Sequence, residues 1–185
     1  AGILAADAML KEAPIAVLKS GTVHNGKYLV LIGGSVASVG MAFAKGMSKG
    51  QDYLLDAVFL PDIHDGVYQA CLGERKSCGS EALSAIEMST VAAILKSADA
   101  AMKGSDVELV ELRLADDLGG KSIALYAGKV ENVEMALHIS EQVMENPELI
   151  LSQSIIPHID PELAKQINAS TYFSKSELSK LAQAE

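Results

Sequence analysis

Residues 22–36 read TVHNGKYLVLIGGSV, and residues 116–130 read DDLGGKSIALYAGKV. Each stretch sets a Gly-Lys pair before an apolar run and closes on a Gly-x-Val triplet that opens a helix-like pattern. At one constant offset of 94, Gly26 matches Gly120, Lys27 matches Lys121, Leu31 matches Leu125, Gly34 matches Gly128 and Val36 matches Val130. Self-similarity of this kind marks a duplicated unit, and it organises the reading of everything around it.

Outward from the first copy, residues 1–13 carry apolar side chains at helical spacing and stop before Pro14, as a helix does. Residues 15–18 and 28–32 read as two strands joined through His24-Asn25-Gly26, because Asn-Gly favours a tight hairpin corner. Residues 35–47 read as a helix with Ser35 as its cap. An apolar strand is predicted over 53–60, stopped by Pro61-Asp62. A short helical turn over 65–72 leads into the polar linker 73–80.

The second copy opens with a strand over 82–88, followed by Ser89 or Thr90 capping a helix over 91–103. From there the parallel is continuous. ADAAMK at 98–103 repeats ADAMLK at 6–11, a hairpin over 107–114 and 122–127 repeats the first, and a helix is predicted over 130–143. A strand over 149–156 ends at Pro157 as the earlier one ends at Pro61. Residues 171–185 form a polar tail with a terminal helix expected over 174–184. Each repeat thus reads strand, helix, strand, strand, helix, strand, an α/β arrangement of the α+β kind with a mostly antiparallel sheet. The expected domains are 1–78 and 81–170. In the first, the counterpart of 82–88 falls ahead of Ala1, so the given sequence is expected to be cut short or renumbered at its start.

Composition narrows the function. The 185 residues are 49% hydrophobic and 21% charged, with a mean hydropathy of +0.23. No apolar run reaches membrane-spanning length, so extensive protein interfaces are the expected use of that apolar surface. The net charge of −9 falls late: residues 1–80 hold seven basic and seven acidic side chains, residues 81–185 eight and 17. A nucleic-acid groove or an anionic membrane surface requires clustered Lys and Arg, which this pattern lacks. Two cysteines in one loop and no secretory signal point to a reducing cytosol.

Catalytic motifs are not assembled. Gly120-Lys121-Ser122 looks like the end of a phosphate-binding loop, but Ala115 stands where the motif needs its first glycine, and a strand follows where it needs a helix. His24, His64, His138 and His158 share no metal-ligand spacing. Cys71 and Cys78 match no zinc or redox pattern, and Asp116 with Asp117 reads as a charged rim. The residues provide no nucleophile, base or cofactor loop, so an enzyme is not expected.

In the repeated hairpin and the paired ADAxxK stretches, the chain resembles the bacterial microcompartment shell proteins, particularly the trimeric tandem-BMC type of propanediol-degrading compartments. The second repeat carries the likeness through ALSAIEMSTVAAILKSADAAMKGSDVELV, GGKSIALYAGKVENV and SIIPHIDPEL, and the first through ILAADAMLKEAPIAVL, NGKYLVLIGGSV and AVFLPDIH. The resemblance implies two ferredoxin-like BMC domains in a homotrimer that imitates a hexamer, a shell tile packing with other shell proteins around a pore for small metabolites. His24, Asn25 and Gly26 would line that pore together with Asp116, Asp117, Leu118 and Gly119. Lys11, Lys103, Asp62 and His158 would lie at the tile edge, the last two replacing the Arg usual in the family. Some trimeric relatives hold an iron-sulfur cluster through a Cys that aligns with His24. Because thiolate is the usual ligand of such clusters, no cofactor is expected; His24 is left as a candidate for another metal, and the alternative function the resemblance implies is a pore-bound metal or iron-sulfur centre for electron transfer across the shell.

Overall fold

The structure is a computed structural model that describes residues 1–79 and 81–176. In the first repeat, α1 (Gly2–Glu12), β1 (Val17–Val23), β2 (Lys27–Gly33), α2 (Val36–Gly50) and α3 (Asp65–Cys71) follow in order. The second contributes β3 (Ala82–Met88), α4 (Val91–Gly104), β4 (Glu108–Leu114), β5 (Ser122–Gly128), α5 (Val130–Gln142), β6 (Ile150–Ile156) and α6 (Pro161–Ala169).

Local chemistry accounts for the boundaries. The hydroxyl of Ser35 accepts from the Ser38 N–H at the start of α2, and that of Thr90 accepts from the Ala93 N–H at the start of α4, in each case satisfying a donor that the first helical turn leaves free. Asp160 does the same for Glu162 at the start of α6, where Pro161 occupies the first helical position and loses no bond by lacking an N–H. α1 and α2 meet closely at Gly46, where a Cβ would stand 1.8 Å from the Met9 methyl.

All pairings are antiparallel. β1 and β2 form a two-stranded sheet, and the second repeat builds a four-stranded one in the order β4-β5-β3-β6. In the larger sheet Ser84 faces Tyr126 across β3–β5, and Ile86 faces Ala124. α4 and α5 cover one side, burying Ile86, Met88, Ile94, Tyr126 and Val133 completely. The opposite side carries a smaller core in which Leu83, Val110 and Ala127 meet Cys78, Ile159 and Ala164. The fold is therefore a mixed α+β arrangement of two antiparallel sheets with flanking helices, as the sequence pattern indicated.

Three expectations change. Residues 54–60 are extended but join no ladder, and Gln51–Tyr53 is a single 3-10 turn rather than the start of a strand. In the second repeat the equivalent strand β6 pairs with β3; the first repeat has no counterpart of β3 among the described residues, so 54–60 is held by side chains alone. Phe59 stacks on Phe43 of α2 at 5.7 Å between ring centroids, and Val58 and Leu60 pack on the main core. Second, β1 runs over Val17–Val23, later and longer than the expected 15–18. Third, Pro161–Ala169 forms a helix, α6, in a stretch to which no element was assigned. Of the expected terminal helix, residues 177–185 lie outside the described residues.

Linker residues 73–79 are fastened to the second repeat. Arg75 donates to Glu111 at 3.1 Å and to the carbonyls of Ile167 and Asn168 at 2.7 and 3.2 Å, capping the C-terminal end of α6. The Asn168 amide closes a two-bond clamp on Cys78, accepting from its N–H at 2.8 Å and donating to its carbonyl at 3.0 Å.

Candidate functional site

The two copies of the quoted stretch place their turns side by side. Between β1 and β2 the chain reverses through Asn25 and Gly26, with φ of 63° and 67°. Between β4 and β5 it reverses through a wider loop in which Ala115, Asp117, Gly119 and Gly120 have φ of 67°, 59°, 62° and 79°. Left-handed backbone suits Gly and, among other residues, Asn and Asp best, which explains Asn25, Gly26, Asp117, Gly119 and Gly120 at these tips. Ala115 adopts it because its N–H and carbonyl are both committed across the loop, to Lys121 and to Leu118 and Gly120.

Three hydrogen bonds join the tips. The Asn25 side-chain amide donates to the Gly119 carbonyl at 2.9 Å. The Asp117 backbone N–H donates to His24 Nδ1 at 3.1 Å, and Lys27 Nζ donates to the Gly120 carbonyl at 3.4 Å. Because Nδ1 accepts, the neutral His24 ring carries its proton on Nε2, which lies 4.0 Å from Asp117 Oδ1. A Cβ on Gly120 would stand 3.0 Å from the His24 carbonyl oxygen, so contact between the loops itself demands glycine there.

His24, Asn25, Gly26, Asp116, Asp117 and Gly119 are all exposed, and Leu118 is half-buried behind them. The seven residues expected to act together thus form one continuous surface. It presents two carboxylates, one ammonium and one imidazole, with backbone held rigid by cross-loop bonds. Lys27, the lysine of the first Gly-Lys pair, joins this surface through its bond to the Gly120 carbonyl.

The four proposed edge residues divide. Lys103 reaches the carbonyl of Asp62 and the carboxylate of Asp99, the latter at 2.8 Å. Asp99, almost fully buried, also accepts the His64 N–H at 2.7 Å. These contacts tie α4 of the second repeat to the segment after residue 60 of the first. Among the described residues, Lys11 bonds only its own helix, through Asp7 at 2.7 Å. His158 is exposed.

The remaining chemical candidates have structural roles. Lys121 pairs with Glu87, and Ser122 is a fully buried strand residue, so no phosphate loop forms there. His64 Nδ1 caps α3 by accepting the Gly66 N–H at 3.1 Å. Cys71 and Cys78 are free and buried. Burial pushes the Cys71 thiol up to about 11, with Lys19 working weakly against it. Burial likewise raises Cys78, opposed by its backbone hydrogen bond and by Arg75. Among the described residues of one chain, no group of three or more His, Cys, Asp or Glu side chains is placed to hold a metal ion, and no helix is long and apolar enough to cross a membrane.

Comparison with known proteins identifies this architecture. The family model described as the BMC domain matches twice, over residues 1–63 and 82–159. The bacterial microcompartment shell protein PduT of Citrobacter freundii is 36% identical over 166 residues, which make up 90% of each protein. The carboxysome assembly protein CcmO of Synechocystis sp. is 23% identical over 182 residues, 91% of this chain and 61% of that one. Among solved structures, a microcompartments protein from Desulfitobacterium hafniense DCB superposes with a TM-score of 0.78 at 34% identity, covering 89% of this chain and 91% of its own. The fused permuted hexameric shell protein MSM0275 from the RMM microcompartment shares the fold at a TM-score of 0.53 and 16% identity, over 79% of this chain and 76% of its own. With two matched domains in order and a close relative along nearly its whole length, the chain belongs to the BMC-domain family and is a structural shell protein of the bacterial microcompartment, built from two such domains in tandem.

Proposed function

We propose that three copies of the chain form a pseudohexameric tile in which the two domains, 1–78 and 81–170, alternate around a threefold axis. The turns carrying His24-Asn25-Gly26 and Asp116-Asp117-Leu118-Gly119 line its central pore. The observation that supports this reading most directly is the hydrogen bonding of the two turns to each other. In a ring of alternating repeats, equivalent loops must be neighbours at the centre, and here unlike copies of one loop already touch inside a single chain.

Three copies bring six carboxylates of Asp116 and Asp117 to the rim, against three Lys27 ammonium groups. The field disfavours small anions and admits neutral, hydrogen-bonding metabolites past His24 and Asn25. Partner shell proteins meet the outer rim, through the exposed apolar surface that Ile3, Leu4 and Leu55 exemplify. The tile acts in the cytoplasm as part of a polyhedral shell and uses neither nucleic acid nor membrane.

Light scattering on the native protein tests the assembly. A mass about three times the 19.4 kDa of the chain is expected, and a single-chain mass across micromolar concentrations overturns the proposal.

A further inference from the structure

The face of the larger sheet turned away from α4 and α5 carries a hollow of about 240 Å³, lined by Ala85, Glu111, Arg113, Ile123, Leu125 and Thr171. Strand register puts it there. Leu125 of β5 faces Ala85 of β3 on one side and Glu111 of β4 on the other, and Ile123 faces Arg113 one row along. Cross-strand neighbours share a face, so three apolar side chains form the floor and two charged ones stand along β4. The segment after α6 supplies the remaining wall through Thr171, and the ring of the next residue, Tyr172, lies 3.9 Å from the Arg113 guanidinium.

Charge and hydrogen bonding do not balance at this hollow. Glu111 is already paired with Arg75 at 3.1 Å, and Glu87, next along the row of Ile123, is taken by Lys121. Arg113 has no carboxylate within ion-pairing distance among the described residues, and its neighbour across the Tyr172 ring is a second cation, Lys175, 4.8 Å from the centroid. In a chain of net charge −9, the hollow thus holds two guanidinium groups against one carboxylate. Arg113 Nε and the Thr171 hydroxyl oxygen are both buried, and neither has a hydrogen-bond partner among the described residues. Buried donors in folded proteins are paired, because an unmet one gives up water without replacement. Two unmet donors, a surplus positive charge and an apolar floor together describe a receptor for a small amphipathic anion.

We infer that this hollow binds a small aliphatic carboxylate. One carboxylate oxygen accepts from the Arg113 Nε–H and the other from the Thr171 hydroxyl, a pairing in which the ionised acceptor strengthens both bonds. The alkyl chain lies over Ala85, Ile123 and Leu125. Glu111 stays on Arg75, so the ligand brings the local charge to zero. The hollow is smaller than those that take drug-sized molecules, which restricts the ligand to a short chain. The site is complete within one chain and uses none of the residues of the two turns, so it stands independently of the tile proposed above. Because Thr171 follows α6 and Arg113 belongs to β4, the ligand also ties the segment after α6 to the sheet.

Calorimetric titration of the full chain with sodium hexanoate tests the site, with hexanol and hexylamine as probes of equal length. Hexanoate is expected to bind with a dissociation constant on the order of 1 mM, and the neutral and cationic probes about tenfold more weakly or worse. Arg113→Met is expected to weaken hexanoate about tenfold and Thr171→Val about threefold. The near-isosteric Thr171→Val keeps the test open should the arginine variant fold poorly, as read by circular dichroism. Ala85→Leu retains both donors but fills the floor, and is expected to abolish binding. Hexanol binding as tightly as hexanoate overturns the inference, as does hexanoate binding that is unchanged in Thr171→Val and Ala85→Leu. So does the absence of saturable binding up to about 50 mM.

Discussion

The side-chain amide of Asn25 donates to the carbonyl of Gly119 at 2.9 Å, so the tip of one hairpin is fastened to the tip of the other. Asn25 also holds φ of 63°, a backbone state that an Ala adopts at a cost of about 1–2 kcal/mol. Asn25→Ala therefore loses both a hydrogen bond worth about 1 kcal/mol and conformational ease, whereas Asn25→Gly loses the bond alone. The expected order of thermal midpoints is wild type, then Gly, then Ala, measured by circular dichroism. An Ala variant as stable as the Gly variant contradicts the strain at this turn.

Arg75 carries the second prediction. Its partner Glu111 is only 4% exposed, and removing the guanidinium leaves that carboxylate buried without a counter-charge. Arg75→Ala is expected to cost about 3–5 kcal/mol, a fall in midpoint of roughly 10 °C for a chain of this size. Replacing both partners, as Arg75→Met with Glu111→Leu, is expected to recover most of the loss. A double variant no better than the single one would show that the carbonyl contacts to Ile167 and Asn168 dominate.

Alkaline stability follows from two buried acids. Desolvation raises the Cys71 thiol to about 11 from an ordinary 9.0. Burial also raises the Tyr126 phenol, with the Ser140 and Ser97 hydroxyls offsetting part of the effect. Above pH 9 the unfolded chain releases the Cys71 proton while the folded chain retains it, so stability falls as pH rises from 9 towards 11. Urea denaturation at pH 8 and pH 10.5 is expected to show a loss on the order of 2 kcal/mol. Cys71→Ala is expected to flatten that slope; an unchanged slope would assign the effect elsewhere.

The acidic rim makes a selectivity prediction. If six carboxylates set the field at the pore, planar-bilayer reversal potentials are expected to show cation preference for the wild-type protein. The pair Asp116→Asn with Asp117→Asn is expected to reduce that preference severalfold. The hydrogen bonds that join the loops use the Asp117 backbone N–H rather than either carboxylate, so they persist in this variant. Equal selectivity in both proteins would remove these residues from the permeation path.

Much of this molecule was legible from its repeat. The second hairpin, α4, α5 and the tight turn at Asn25-Gly26 follow from apolar periodicity and from the Asn-Gly corner, which act locally. The strand expected at 53–60 failed because ladder pairing is not local. Its apolar run is equally consistent with an extended segment gripped by Phe43 and the core, and only a neighbouring strand makes the difference. α6 was missed for its weak apolar pattern, although Asp160-Pro161-Glu162 is a good helix start and the residues 96 earlier had been read as helical. In the site, residue types pointed to the turns, but the bonds that join them use the carbonyls of Gly119 and Gly120 and the N–H of Asp117. Backbone groups leave no signature in residue identity, and the same holds for Lys103, whose acceptor is the Asp62 carbonyl.

The clamp between Asn168 and Cys78 has a topological consequence. It sets the entrance and the exit of the second repeat side by side, joined by two hydrogen bonds at 2.8 and 3.0 Å. A short peptide between these two points closes the repeat into a loop without disturbing its sheet, and a new cut in any surface turn then yields a circular permutant. Rearranged gene order is thus geometrically cheap for this unit, which leaves a lineage free to move chain ends from one face of a tile to the other while keeping every packed layer in place.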